Sequence, residues 1–503
     1  MICEQWPDDA SAREIARILN PGRGMVIGRD SIRRKLAGEG GLNFLPAEVA
    51  EGWTLARRPK AEGAGDWTHQ YGAADNSATS GEALSGATAT TDLTVQWVGR
   101  PGADFGIDRQ SRMPAPLSAN GRLFHQGMNR LAALNAGNGA VLWSLEIPDL
   151  RRLNVPRDSA NWCADDDVLY VAVGGEAWIL DAETGERKEA LTARDASQES
   201  DWGYIAKVGD RLIGSTTEPE SGYKAYWTKA MWFDGKAGSQ GTAKVCSDSL
   251  FAYAPHSKVK SWTYRNGAIL NSTIAARDGR VVFVESRNRD LPKRGQLSGS
   301  ELWKDQFLVA LDVKSGRKLW EQPIDTEDGS ITFYLQMSDD AILITASNTA
   351  YHFATYDPET GKPLWQKSNP WPDDHHSGHI QHPVILNGVI YLQPNGYDLT
   401  TGEIVTTKMG ARSGCHTYIG ARDALIYRGA GRRVAMWDTK EETVTAWDRL
   451  RPSCWLSLIP ANGMLLVPEG GGGCSCGNWM ETSIGFAPLK LLEIGEPKKG
   501  DGE

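Results

Sequence analysis

Four of the nine histidines fall in one short run, WPDDHHSGHIQHP at residues 371–383, which leads into an apolar strand over residues 384–392. His376, His379 and His382 could supply imidazole nitrogens to a divalent metal, with Gln381 as an oxygen ligand. No regular helix fixes their spacing. The plainer reading is a wet loop whose histidines hydrogen-bond to neighbouring chain.

A second set is charged. Arg157, Asp158 and Asn161 precede one apolar segment, Glu285 and Arg287 end another, and Arg412, Arg451 and Glu469 come late in the chain. If their loops converge, the arginines form a rim for carboxylate or sugar-acid oxygens, because a guanidinium fork meets them bidentately. Asp158 or Glu469 beside that rim could act as a general base. For any single residue an ordinary structural salt bridge is the simpler account. Four of seven cysteines also crowd the end: Cys415, Cys454, Cys474 and Cys476, the last two within GGGGCSCGN. They could form two disulfides in an oxidising compartment, one tetrahedral zinc site in a reducing one, or inert buried thiols.

The elements that must position these residues repeat. LAALNAGNGAVLW reads as strand, tight Asn-Gly turn and strand; AWILDAETGERKEAL, LVALDVKSGRKLW, TYDPETGKPLW and YDLTTGEIV follow it, and MWDTKEETVTAW is a worn copy. Asn-Gly and Asp-rich turns between apolar runs predict hairpins, since these residues tolerate positive φ or bond their own backbone. The turn glycines stand at 139, 185, 316, 361 and 402, with Glu442 next, so the gaps are 46, 131, 45, 41 and 40. A period of about 40–50 residues of short strands predicts a β-propeller, one four-stranded blade per repeat. Trp262 follows Ala254 as Trp143 follows Asn135, so the long gap hides one turn near Lys258 and two blades with insertions. LTVQWVG at residues 93–99 has no partner before it, and strands after residue 455 lack one behind them. Pairing the two would close the ring and remove both edges. The expectation is an all-β, eight-bladed propeller, with seven blades as the fallback.

The Asp-x-x-x-Gly-x-x-x-Trp turns, with DWTHQYGAADNSATS ahead of the first blade, resemble the PQQ-repeat propellers of the quinoprotein alcohol dehydrogenase superfamily over about residues 66–490. The resemblance implies repeated tryptophans docked between blades. It is shared with non-catalytic scaffolds such as the lipoprotein BamB. In the dehydrogenases it also implies a quinone held between a tryptophan and a ring of two adjacent cysteines, with calcium on acidic and amide side chains. This chain has no adjacent cysteine pair and no Cys-x-x-Cys-His haem motif, so PQQ is not expected. The family is mostly exported, which implies a periplasmic or extracellular protein.

Residues 1–60 differ. EIARILNPGRGMVIG resembles the late helix–Pro-Gly–strand segment of class I S-adenosylmethionine-dependent methyltransferases, without that family's glycine-rich cofactor loop. The expectation is a small α/β remnant without methyl transfer, containing a helix capped near residues 8–11 and a strand at residues 25–27. Residues 61–91 read as a Gly/Ala/Ser/Thr-rich linker laid onto the ring, residues 92–490 as the propeller, and residues 491–503 as a disordered tail. The start lacks the basic and apolar regions of a secretory signal, and no apolar run is long enough to span a bilayer. With 54 basic against 63 acidic residues, a nucleic-acid partner is disfavoured. Three functions fit: a ligand-binding propeller for a small molecule, acidic glycan or protein; a quinoprotein-like oxidoreductase; and a metal-assisted lyase or hydrolase on acidic sugars.

Overall fold

Each repeated turn is shaped by its own first side chain. In the computed structural model, Asp181 Oδ1 accepts the backbone N–H groups of Glu183 and Thr184, both at 2.9 Å. The same bonds recur at Asp357 and at Asp398. Lys188 also bonds Asp181, the main reason its carboxyl titrates at about 2. Residue five of the turn is then left-handed, with φ +70° at Gly139, +75° at Gly185, +69° at Gly316, +70° at Gly361 and +73° at Gly402. An L side chain pays roughly 1–2 kcal/mol for that conformation.

The structure describes residues 2–3, 15, 19, 21–22, 24–29, 45–99, 114–127, 129–148, 150, 158–159, 161–193, 199–222, 243–254, 256–291, 295–297, 299–371, 381–414, 416–448, 450–452, 455–468 and 482–492. The strands form eight antiparallel blades. Their inner strands are, in order, Leu117–Ala119, Trp162–Ala164, Asp201–Val208, Ala275–Arg277, Thr332–Met337, Val384–Leu386, Ile419–Ala421 and Ile459–Ala461. The eighth blade is completed by Leu93–Gly99, which pairs antiparallel with Ser483–Pro488. The eight-bladed expectation holds and the seven-bladed fallback does not. The long gap does contain two blades, and the fourth carries the insertion as extra strands Lys244–Ser247, Ala268–Leu270 and Gln296–Leu297.

Tryptophans join the blades at the rim. A Cβ built on Gly185 would lie 2.7 Å from Trp143 of the preceding blade. Trp143 Nε1 donates to the Ala182 carbonyl (3.1 Å) beside that glycine. Trp97 meets Gly139 and Ala136 O, Trp262 meets Gly316 and Val313 O, Trp320 meets Gly361 and Pro358 O, and Trp365 meets Gly402 and Leu399 O in the same way. Glycine is thus required twice at these turns, for its φ and because the indole occupies the space a Cβ would need.

Residues 65–82 run round the channel and meet the blades in order. Asn462 of blade 8 donates to Gly65 O, Trp67 pairs with Ser118 of blade 1, and Ala164 of blade 2 donates to Thr68 O. His69 lies against the Lys207 backbone of blade 3. Ala276, Met337, Ile385 and Gly420 of blades 4 to 7 then donate to Ala74, Asp75, Ser77 and Ala78 carbonyls at 2.8–3.0 Å. These bonds lie toward the ends of the inner strands, so the segment floors the channel. What reads as a linker in the sequence is a ninth element that touches every blade.

The N-terminal strands Ile2–Cys3, Met25–Arg29, Trp53–Arg57 and Leu45–Ala50 make a separate four-stranded sheet. The strand expected at residues 25–27 is present, and the hairpin over residues 45–57 was not foreseen. The helix expected from residue 8 lies almost wholly outside the described residues, as does most of the tail. Among the described residues no helix is long and apolar enough to cross a membrane.

Candidate functional site

The floor loop carries polar side chains to the axis. Tyr71 stacks on His382 with ring centroids 3.6 Å apart and planes within 11°, and Tyr334 packs edge-on to Tyr71. His382 Nδ1 bonds the Pro383 carbonyl at 2.8 Å. Burial lowers the His382 pKa to about 3 and that of His69 to about 4. His382, expected as a metal ligand, is therefore a neutral ring in an aromatic plug. Gln381 is buried beside it, with its backbone N–H directed to Tyr351 Oη. His376 and His379 lie outside the described residues, as do Cys415, Cys454, Cys474 and Cys476. Among the described residues no three His, Cys, Asp or Glu side chains converge on a common point.

These two neutral histidines set a pH dependence. The unfolded chain protonates each near 6.5 whereas the folded chain does not, so the unfolded state takes up the extra protons as pH falls. Stability is whole above about pH 6.5 and declines toward pH 4 by about 1.4 kcal/mol per pH unit for each histidine. Urea midpoints at pH 7 and pH 5 should therefore differ strongly. His382→Phe, which keeps the stack, should reduce that difference.

Beside the plug, His69, Asn76, Asp158, Trp162, Tyr204 and Asn271 enclose a cavity of about 30 Å³. It has room for one or two water molecules. Asp158 is buried and accepts Asn271 Nδ2 at 3.0 Å. Asn271 Oδ1 accepts Ser247 Oγ (2.6 Å), which shares a bond with Ser215 Oγ (2.8 Å), and Ser215 Oγ in turn accepts the Tyr204 N–H (2.7 Å). Asn161 uses its amide to bond Ala172 O within its own blade.

Ser247 also lines an open cleft of about 640 Å³ between blades 3 and 4, with Asp248, Asn266, Ser286, Arg287 and Arg289 among its walls. Arg287 is held by Glu285 Oε1 (2.7 Å) and Glu321, and its guanidinium lies 3.8 Å from the Phe307 ring centroid. Glu285 is fully buried and also accepts Tyr264 Oη at 2.8 Å.

The structure therefore splits the expected rim. Asp158, Glu285 and Arg287 are gathered around blades 2 to 4. Arg412 and Arg451 lead into blades 7 and 8, on the far side, and Arg412 turns back to bond Gly414 O and His416 O of its own loop. Arg157 and Glu469 lie outside the described residues. Asn271, Ser247 and the floor residues His69 and Tyr71 were missed. For His69 and Tyr71 the sequence signal is the tryptophan-led string DWTHQYGAADNSATS, which carries the family resemblance, and Asn271 and Ser247 have none.

The comparisons bear on the ring. A family model described as outer membrane protein assembly factor BamB, of the PQQ-repeat type, matches residues 50–213 and 227–449. The chain belongs to this PQQ-repeat family. Quinohemoprotein alcohol dehydrogenase from Comamonas testosteroni is similar in structure, with TM-score 0.56 and 11% identity over 95% of this chain and 83% of that one. The quinohemoprotein alcohol dehydrogenase ADHIIG from Pseudomonas putida HK5 gives TM-score 0.51 and 12% identity over 84% and 80%. BamB from Moraxella catarrhalis gives TM-score 0.37 and 15% identity over 69% and 85%. At these identities the likeness is one of fold. No curated protein matches the chain by sequence. Neither the family model, which begins at residue 50, nor these structures support a methyltransferase origin for residues 1–60.

This PQQ-repeat propeller lacks one residue pattern that accompanies the dehydrogenase cofactor. It has no adjacent cysteine pair to clamp a quinone. Its axial cavity is water-sized, and the acid–amide pair Asp158–Asn271 presents the amide N–H, not its oxygen, toward the carboxylate.

Proposed function

We propose that the chain is a non-catalytic binding propeller whose ligand, a small sugar acid or related carboxylate, sits in the cleft between blades 3 and 4. The observation that carries this reading is the cleft itself. Its volume of about 640 Å³ falls within the roughly 300–1,000 Å³ usual for small-molecule sites. Arg287 and Arg289 offer cationic N–H groups to a carboxylate, and Asn266, Ser247 and Ser286 suit hydroxyls. The hydrogen-bond chain from Ser247 to Asp158 holds the inner wall rigid.

Calorimetric titration with glucuronate and galacturonate, set against glucose, tests this. Uronate should bind, and a R287A/R289A double variant should weaken it at least tenfold. Equal binding of glucose, or no effect of the variant, would overturn the assignment. The same protein titrated with PQQ and calcium should show no saturable tryptophan quenching and no alcohol-dependent dye reduction. Either signal would favour the oxidoreductase reading instead. A metal-assisted lyase or hydrolase would reveal itself as stoichiometric metal in the purified protein.

Family membership also supports a location outside the cytoplasm and, as a second reading, a protein partner. Exposed apolar residues stand on two separate outer strands, Val95 and Val98 on blade 8 and Ile404 and Val405 on blade 6, and the adjacent blade-6 pair is the place we assign to such a partner. If it exists, I404S/V405S should abolish a cross-link seen with the wild-type chain in a membrane-protein extract and leave uronate binding unchanged.

A further inference from the structure

The tryptophan-on-glycine contact is lost in matched pairs. Four residues after the turn position, blade 2 has Glu189 and blade 6 has Thr406 where blades 1, 3, 4 and 5 have tryptophan, and blade 7 has Ala446. In the blades that follow blades 2 and 6, the turn position holds Lys258 and Glu442 in place of glycine. Where no indole arrives, glycine is not needed to receive one. Glu442 keeps the left-handed backbone (φ +55°).

These two seams, between blades 2 and 3 and between blades 6 and 7, are four blades apart and so face each other across the ring. Polar ties replace the indole at both rims. Lys260 Nζ donates to Ala193 O (2.9 Å) at the first. At the second, Thr406 Oγ1 and Lys408 Nζ both donate to the Glu442 carboxylate (2.6 Å each). The seam between blades 7 and 8 also lacks the turn, but Trp447 stacks on Phe486 there at 4.2 Å and Thr90 N–H bonds Thr445 Oγ1. The largest apolar cluster runs through blades 7, 8, 1 and 2 and also takes in Ile331 and Tyr334 at the inner strand of blade 5. Separate clusters fill the 2/3 seam, around Trp202 and Phe251, and the 6/7 seam, around Tyr391 and Trp437, as others do at 3/4, 4/5 and 5/6, so the two unlocked seams differ from those three at the rim and not in the core.

We infer that the propeller is mechanically two four-blade halves, blades 7-8-1-2 and blades 3-4-5-6, which part at the rim along these two seams. The floor is the pivot, because it crosses both seams at the inner end, at Thr68–His69 and at Ser77–Ala78. The 3/4 cleft lies inside one half, and only its inner wall depends on the other. Asp158 belongs to the other half and reaches across to Asn271 of blade 4 (3.0 Å), so opening at the 2/3 seam breaks that bond and releases the inner wall of the cleft.

Hydrogen exchange read by mass spectrometry on the full chain tests this. Outer-strand amides beside the unlocked seams, at residues 187–192, 260–264, 404–406 and 444–446, should exchange at least tenfold faster than those at residues 318–323 and 363–369. The T406W/E442G variant restores both partners and should slow exchange at the 6/7 seam about fivefold while leaving the 2/3 seam unchanged. If that variant does not fold, raising NaCl from about 0.05 to 0.5 M is the second readout. It screens the exposed Lys408–Glu442 pair and should speed exchange at the 6/7 seam but not at the indole-bonded 4/5 seam. Equal exchange at locked and unlocked seams, a restored contact that slows every seam alike, or a salt effect common to all seams would overturn the inference.

Discussion

Replacing Gly185 with alanine should cost about 2–5 kcal/mol of stability, a large part of the roughly 5–15 kcal/mol typical of a folded chain. Two terms add. The φ of +75° costs an L side chain about 1–2 kcal/mol. The new Cβ would stand 2.7 Å from Trp143 Cδ2, and forcing the indole aside in a packed interface costs about 1–3 kcal/mol more. The bond from Trp143 Nε1 to Ala182 O stretches with it. Gly279 separates the two terms, because it has φ +76° and nothing within 4 Å of its Cβ position. Gly279→Ala should therefore lose only the backbone term, about 1–2 kcal/mol. Urea midpoints of both variants under one condition check this. Equal losses would mean that the indole contact contributes nothing and that the repeat is conserved in this chain for its turn alone. G185A/W143L should recover part of the loss, since leucine yields the space.

The ring was legible because its turn chemistry is local. Asp at position one, glycine at position five and tryptophan four residues later are each demanded by atoms within one hairpin and its neighbour, so the spacing alone gave the period. Closure by residues 93–99 followed from the need to remove edges. The floor was not legible, since residues 65–82 satisfy their backbone with partners 50 to nearly 400 positions away and so show no strand or helix period. For the same reason Asn271 and Ser247 gave no signal. Their chemistry exists only once blades 2, 3 and 4 bring Asp158 to them. The histidine run shows the same limit. His382 was read from its neighbours in sequence, whereas its environment is set by Tyr71, more than 300 residues earlier, whose ring covers it.

Gly72→Ala should do more damage than any rim substitution, because it strikes a segment that touches all eight blades. Gly72 has φ +93°, and a Cβ there would lie 2.0 Å from the Thr79 carbonyl oxygen and 2.7 Å from its carbon. Both neighbours are backbone, so no rotamer change relieves the clash and the loop over residues 69–79 must open. That loop is held closed by Thr68 N–H to Gly72 O (2.8 Å) and Ala78 N–H to Tyr71 O (2.9 Å). Its opening pulls Tyr71 off His382 and loosens the bonds from Ala276, Met337, Ile385 and Gly420 at once. The expected loss exceeds about 4 kcal/mol, the sum of a left-handed penalty, backbone overpacking and several buried bonds at about 1 kcal/mol each. Its signature is spatial: inner-strand amides of blades 4 to 7 should lose exchange protection together, although they are far apart in sequence. In Gly185→Ala, by contrast, the loss should centre on blades 1 and 2. A Gly72→Ala protein that keeps its inner-strand protection would show that the blades hold the ring unaided and that the floor merely rests upon them.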